Sequence, residues 1–231
     1  MSELSRRSTL TRAQEDYLKA LYNLHGDQRP VPTGDLAQRL AIASPSVSEM
    51  VTRLRAKGLV EHDRYRGQRL TPAGRTIALE LVRHHRLLEM FLVQVLGYRW
   101  DEVHDEAERL EHVISERMEE RIFELLGRPE LDPHGHAIPS LNGTVRPLSD
   151  RPLSESRSGE RLVLQGVSDD DPSRLRELER RGLLPGTRIE IVEESKFEGP
   201  IEVRIKGRRV SVPLGLARAM FVEEVGASGG G

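Results

Sequence analysis

Residues 44–72 read SPSVSEMVTRLRAKGLVEHDRYRGQRLTP, and this stretch decides the fold. Ser44-Pro45 is a helix start: a hydroxyl suited to capping, then a proline suited to the first helical position. Val47, Val51 and Leu54 follow at i, i+4 and i+7, so a helix predicted over about Pro45 to Lys57 buries one face and exposes the other. Gly58 stops it. Leu59-Val60-Glu61-His62-Asp63 and Gln68-Arg69-Leu70-Thr71 are strand-like runs flanking the basic turn Arg64-Tyr65-Arg66-Gly67, which predicts a hairpin. Thr71-Pro72 opens a further helix. A helix followed directly by a basic hairpin is the second half of a winged helix-turn-helix.

Upstream, Thr11 and Gln14 make a capping box for a helix over Arg12 to His25, with Ala13, Tyr17, Ala20, Leu21 and Leu24 as its apolar stripe. Gly26 to Pro32 is a loop, and Thr33 is placed to cap a short helix carrying Leu36, Ala37 and Leu40. Downstream, the helix from Thr71-Pro72 is expected to run to about Leu96. Another opens at Asp101, and a last one, capped by Ser115, ends at Gly127. From Arg128 to Gly159 the chain is rich in Pro, Gly and Ser and reads as a linker, disordered in part. Strand-like runs at 161–167, 188–193, 201–205 and 209–212, interrupted by a helix over Pro172 to Arg181, predict a small β-barrel. The expected organisation is a DNA-binding head at 1–75, a helical domain at 76–140, a linker at 141–159, a β module at 160–226 and a tail at 227–231. The fold class is mainly α with a small β module.

Charge follows the same division. The net charge of the chain is -2, made of +5 over residues 1–75, -7 over 76–145 and zero over 146–231. Six of the eight histidines fall in the acidic middle, where a bound cation would offset the excess of carboxylates. The absence of cysteine excludes disulfides, thiolate metal sites and cysteine nucleophiles. No charged-then-apolar leader opens the sequence and no run of about 18 apolar residues occurs, so a soluble cytoplasmic protein is expected.

In a winged helix-turn-helix the third helix enters the major groove and offers its N-terminal residues to base edges. Here those are Ser44, Pro45, Ser46, Ser48 and Glu49, with Thr52 and Arg53 further along. Glu49 is suited to accept from a cytosine amino group. Arg55, Lys57, Arg64, Arg66 and Arg69 suit phosphates, which supply affinity rather than sequence information. A protein-docking module with a solvated basic face would carry the same pattern.

The sharpest chemical signal is the run VHDEAERLEHV, residues 103–113. His104, Glu108, Glu111 and His112 fall at i, i+4, i+7 and i+8, on one helical face. His85 and Glu89 form a second i, i+4 pair on the preceding long helix. Imidazole and carboxylate without sulfur suit Mn(II), Fe(II), Co(II) or Zn(II). The plain alternative is a solvated helix laced with i, i+4 pairs. His134 and His136 sit in a turn-like segment and read as structural or solvated.

These strings, with Ser44-Pro45-Ser46-Val47-Ser48 and His84-His85-Arg86-Leu87-Leu88-Glu89, resemble the diphtheria toxin repressor and manganese transport regulator family over residues 8–140. Residues 160–226 resemble, more weakly, the SH3-like β-barrel third domain of its iron-responsive branch. The resemblance implies a homodimer whose helical domain dimerises, and metal-activated binding to a palindromic DNA operator that controls metal-uptake genes. By position it implies a primary metal site of Asp16, Glu108, Glu111 and His112, and an ancillary site of His85, Glu89 and His104 with Asp171 (or Asp170) from the third domain. The iron branch has methionine and cysteine at the first two primary positions. Carboxylates there, as in the manganese branch, imply Mn(II), with Fe(II) as the alternative. Lys19 stands where the manganese branch has a glutamate serving a paired-metal site, which argues against that two-metal arrangement. Dimer contacts are expected from Leu87, Leu88, Phe91, Leu92, Val113 and Ile114, for which internal core is the alternative role. Two other classes share parts of the pattern: a winged-helix regulator sensing an organic ligand, and a metallohydrolase. The latter lacks a His-Glu-x-x-His string, a nucleophile elbow and a phosphate-cradling glycine loop.

Overall fold

The computed structural model describes residues 10–63, 65–168 and 171–225. Its contacts divide the chain into two compact units. One comprises Met1–His85, Leu110–Ser115 and Pro139–Thr144, the other Arg86–Arg109, Glu116–Ile138 and Val145–Gly231.

The first unit holds α1 (Arg12–Asn23), α2 (Thr33–Leu40), α3 (Ser44–Ala56), β1 (Val60–Asp63) and β2 (Gly67–Leu70). The capping box forms as expected: Thr11 Oγ1 accepts from the Gln14 N–H at 3.4 Å while Gln14 Oε1 accepts from the Thr11 N–H at 3.2 Å. The caps expected of Thr33 and Ser44 do not form. Pro32 and Ala43 occupy the cap positions without a side-chain bond, and both hydroxyl residues lie inside the first turn. The Thr33 hydroxyl is drawn instead to Gln68 Oε1, 3.5 Å away on β2.

The hairpin pairs antiparallel, Val60 against Leu70 and Asp63 against Gly67. Val31 extends it, exchanging backbone hydrogen bonds with Gln68 at 2.8 and 2.9 Å. Gly67 has φ 108°, and a Cβ there would lie 2.1 Å from the Val31 carbonyl oxygen, so only glycine lets the two backbones meet. Tyr17, Leu18 and Leu21 of α1, Leu36 of α2 and Val47, Val51 and Leu54 of α3 share one core beneath it.

The long helix α4 (Pro72–Gln94) is followed by α5 (Val103–Leu110) and α6 (Glu116–Leu125). Leu87, Leu88, Leu92 and Ile114, expected at a dimer contact, are buried within the chain, whereas Val113 is 75 % exposed. The stretch expected to be a partly disordered linker is hydrogen-bonded. Leu131 bridges Ala137, Asp132 Oδ1 accepts from the His134 and His136 N–H groups at 2.8 and 2.9 Å, and Arg83 donates to the Pro139 carbonyl at 2.7 Å. Arg86 likewise serves the Ala137 carbonyl. Side chains supply the partners that this proline-interrupted backbone cannot find in a helix or sheet.

The β module contains β3 (Arg161–Val167), α7 (Pro172–Arg180), β4 (Arg188–Glu193), β5 (Ile201–Ile205), β6 (Arg208–Val212), α8 (Leu214–Ala217) and β7 (Met220–Glu224). The expected SH3-like β-barrel is not what forms. The strands make an open antiparallel sheet of order β6-β5-β4-β3-β7, with β7 absent from the sequence reading. Pro213 and α8 carry the chain from one edge of the sheet to the other. The outer edge of β7, which closure would pair with β6, is taken by the segment before β3: Pro152 bridges Phe221, and the Val222 N–H donates to the Arg151 carbonyl at 3.0 Å. Leu175 and Leu178 of α7 and Trp100 pack with the apolar face of this sheet.

Candidate metal centre

Helix α1 buries Tyr17 and Leu18 in the core, which fixes the direction of Glu15, Asp16 and Lys19. They meet Glu111 and His112, which follow α5 directly. His112 Nδ1 lies 2.6 Å from Glu15 Oε2, and its Nε2 lies 2.9 Å from Asp16 Oδ1 and 3.5 Å from Glu111 Oε1. Asp16 Oδ1 and His112 Nε2 are both shut from solvent, and despite their separation neither makes an aligned hydrogen bond. Two ligand atoms this close, with the far ring nitrogen beside a carboxylate, fit what a divalent ion requires of a histidine ligand once the ring gives up its proton. One ligand atom from each of Asp16, Glu111 and His112 falls within 4.8 Å of the others. Oxygen and nitrogen donors of this kind fit a first-row dication. Glu108 stands one turn earlier on α5, at i-3 from Glu111 and i-4 from His112.

Electrostatics agree. Burial disfavours the charged imidazole of His112, but the Asp16 and Glu15 carboxylates and the Glu111 charge outweigh it and hold the ring at about 9. Glu111 is fully buried. Both its oxygens take the Lys19 ammonium, at 2.7 and 2.9 Å, and His85 Nδ1 lies 2.6 Å from Oε2. His84 Nδ1 sits 3.1 Å from the Glu111 carbonyl oxygen.

The second unit holds a further cluster. Glu89, buried one turn beyond His85 on α4, has Oε1 3.5 Å from His104 Nδ1 and Oε2 3.7 Å from His134 Nδ1. His104 Nε2 is 4.0 Å from Glu108 Oε1. His134 is buried, its Nε2 2.8 Å from the Trp100 carbonyl oxygen and its ring stacked on Trp100. His136 Nδ1 meets Asp132 Oδ2 at 3.1 Å. Asp171 is used otherwise: it caps α7, accepting from the Ser173 and Arg174 N–H groups at 2.9 and 3.3 Å. Among the described residues it joins no cluster of ligand atoms. Asp170 lies outside the described residues. Glu15 was missed by sequence reasoning, and only its i-1 position beside Asp16 pointed to it.

On α3, Ser44, Pro45, Ser46, Ser48, Glu49, Thr52 and Arg53 are exposed opposite the buried Val47, Val51 and Leu54. Ser48 and Thr52 hydroxyls donate to the Ser44 and Ser48 carbonyls at 3.1 and 3.0 Å. Glu49 and Arg53 form an i, i+4 ion pair at 2.5 Å, so the acid enters this face with its charge balanced. Arg66 and Arg69 are exposed on the hairpin, and Tyr65 at its tip is 90 % exposed. Arg64 lies outside the described residues.

Three family models cover most of the chain. Residues 9–68 match the iron dependent repressor N-terminal DNA binding domain, residues 71–140 the iron dependent repressor metal binding and dimerisation domain, and residues 151–224 the FeoA domain. The chain is 33 % identical over 227 residues to the iron-dependent repressor IdeR of Mycobacterium leprae, covering 91 % of this chain and 96 % of that one. It is 32 % identical over 222 residues to the diphtheria toxin repressor of Corynebacterium glutamicum, with the same coverage of each. A solved manganese-dependent transcriptional repressor in complex with manganese superposes with TM-score 0.84 at 40 % identity, over 92 % of this chain and all of that one. No helix among the described residues is long and apolar enough to cross a membrane. The chain belongs to the diphtheria toxin repressor, IdeR and manganese-dependent repressor family, and is a divalent-metal-binding, DNA-binding transcription regulator rather than an enzyme.

Proposed function

We propose that this regulator responds to Mn(II), with Fe(II) as the alternative, through Asp16, Glu108, Glu111 and His112. The observation that carries this reading is the facing pair Asp16 Oδ1 and His112 Nε2, buried, 2.9 Å apart and not hydrogen-bonded. Glu108 and Glu111 add hard oxygen donors and no sulfur, which favours manganese chemistry without enforcing it. The bound ion supplies two positive charges where carboxylates crowd. Asp16 comes from the DNA-binding head, and Glu111 and His112 from the turn after α5. A bound ion would hold Asp16 to Glu111 and His112 and so would fix α1, and with it the placement of α3, in each subunit of a homodimer that reads a palindromic operator. The ion acts as a switch only through tighter binding to the DNA-competent state. His85, Glu89 and His104 form the ancillary site. Asp171 belongs to it only on leaving its place at the α7 cap.

In the groove, Ser44, Pro45, Ser46, Ser48, Glu49 and Arg53 face bases, while Arg64, Arg66 and Arg69 hold phosphates. The protein acts in the cytoplasm on genes of metal homeostasis, repressing uptake when metal is plentiful.

The test is operator binding titrated with Mn(II) and, anaerobically, with Fe(II), in the wild type and in Asp16→Ala. Chelator should abolish binding and Mn(II) should restore it, and Asp16→Ala should lose that restoration. Full Mn(II)-dependent binding by Asp16→Ala would refute the ligand assignment.

A further inference from the structure

We infer that Lys19 is a built-in second cation of the metal centre: its ammonium occupies the place beside Glu111 that another metal ion would need, and it weakens the hold on the one ion bound there. This rests on Asp16, Glu111 and His112 being metal ligands.

Lys19 is three residues beyond Asp16 and four beyond Glu15, on the same side of α1. Its Nζ lies 2.9 and 2.7 Å from the two oxygens of Glu111 and 3.1 Å from His85 Nδ1. The Lys19 side chain is 7 % exposed and that of Glu111 is not exposed at all. A carboxylate so buried needs a counter-charge held close. Lys19 supplies it in the metal-free protein, and Glu111 is thereby divided between two cations. The ammonium draws on the charge of Glu111 and repels a dication seated between Asp16 and His112. It also crowds His85 Nδ1, on the side a second ion in contact with Glu111 would approach.

The consequence is opposite in sign to ordinary structural damage. Removing the ammonium takes the closest permanent positive charge from the buried Glu111, so the metal-free protein loses stability. The metal-bound form then gains relative to it, and by linkage the ion is held more tightly. Lys19 thus raises the concentration of metal at which the regulator responds.

The experiment uses the full chain as wild type, Lys19→Met, Lys19→Gln and Lys19→Glu. Mn(II) affinity is read by calorimetry, bound manganese by elemental analysis, and thermal unfolding with and without Mn(II). Lys19→Met should bind Mn(II) roughly tenfold or more tightly than wild type. Its metal-free melting temperature should fall, and the rise on adding Mn(II) should grow. Lys19→Gln, which keeps a donor for Glu111, should show the same changes in smaller measure. Lys19→Glu, which replaces the cation with a ligand, should carry one more manganese per chain than wild type. Equal or weaker Mn(II) binding by Lys19→Met and Lys19→Gln, or no added ion in Lys19→Glu, overturns the inference. If Asp16→Ala also binds Mn(II) as tightly as wild type, the ligand assignment itself has failed. If Asp16→Ala loses Mn(II) binding, only the role of Lys19 has.

Discussion

His112, as a proposed metal ligand, would serve two cations in turn. The carboxylates of Asp16, Glu15 and Glu111 favour its charged ring, and the raised value of about 9 makes the proton a competitor of the metal. The sign follows from linkage. A histidine raised above its unfolded value contributes stability to the metal-free protein that is complete below about 6.5 and is lost as pH rises through about 9. Thermal unfolding of the metal-free protein should therefore show a decline in melting temperature across this window that His112→Asn lacks. Mn(II) affinity should move the other way, rising with pH up to about 9 as the proton becomes easier to displace. Calorimetry at several pH values reads this directly, and an affinity independent of pH over that window would contradict it.

At the scale of elements, the proposed reading gives α3 and the β1–β2 hairpin different parts in DNA binding. The exposed face of α3 carries hydroxyls and the balanced Glu49–Arg53 pair, groups able to discriminate bases. The hairpin carries the exposed cations Arg66 and Arg69, suited to phosphates. Arg66→Ala and Arg69→Ala should each weaken operator binding about equally across operator variants and reduce the salt slope by about 1. Glu49→Gln, measured in the same mobility-shift series, should change the base preferred at one position in each half-site. Loss of sequence preference on removing a hairpin arginine would reverse these assignments.

Across the molecule, the second unit depends on a buried charge that is easily overlooked. Asp101, 1 % exposed at its side chain, takes Arg176 of α7 at 2.9 Å and Arg99 at 3.0 Å. Burial opposes its ionisation, but these guanidinium groups hold its carboxyl below the ordinary range. A depressed carboxylate contributes stability that is present above its unfolded value and lost as pH falls through the folded one. Asp101→Asn should cost about 1–3 kcal/mol, since it weakens charge-assisted hydrogen bonds at a buried site. The loss should appear at neutral pH in denaturant unfolding and shrink in acid, where the wild-type carboxylate is itself protonated. A variant as stable as wild type at neutral pH would show that the Arg176 contact contributes nothing.

Much of this protein is legible in its sequence, because local physics acts at the spacings a sequence displays. The i, i+4, i+7 pattern of Val47, Val51 and Leu54 placed α3, Gly67 marked the turn of the hairpin, and the spacing of VHDEAERLEHV singled out Glu108, Glu111 and His112, although the expected single helix ends at Leu110 and the last two lie in the turn after it. Tertiary structure decided what depends on residues distant along the chain. It withdrew the caps expected of Thr33 and Ser44, since a hydroxyl takes whichever partner packing brings. It left the sheet open, because the segment around Pro152 occupies the edge of β7 that β6 would need. It gave the proline-rich stretch partners from Arg83 and Arg86 on α4. It also brought Glu15 and Lys19 to Glu111 and His112, some ninety residues away, where burial holds opposite charges against one another. A spacing rule reaches only as far as one helix or strand, and the counter-charges of a buried site come from elsewhere.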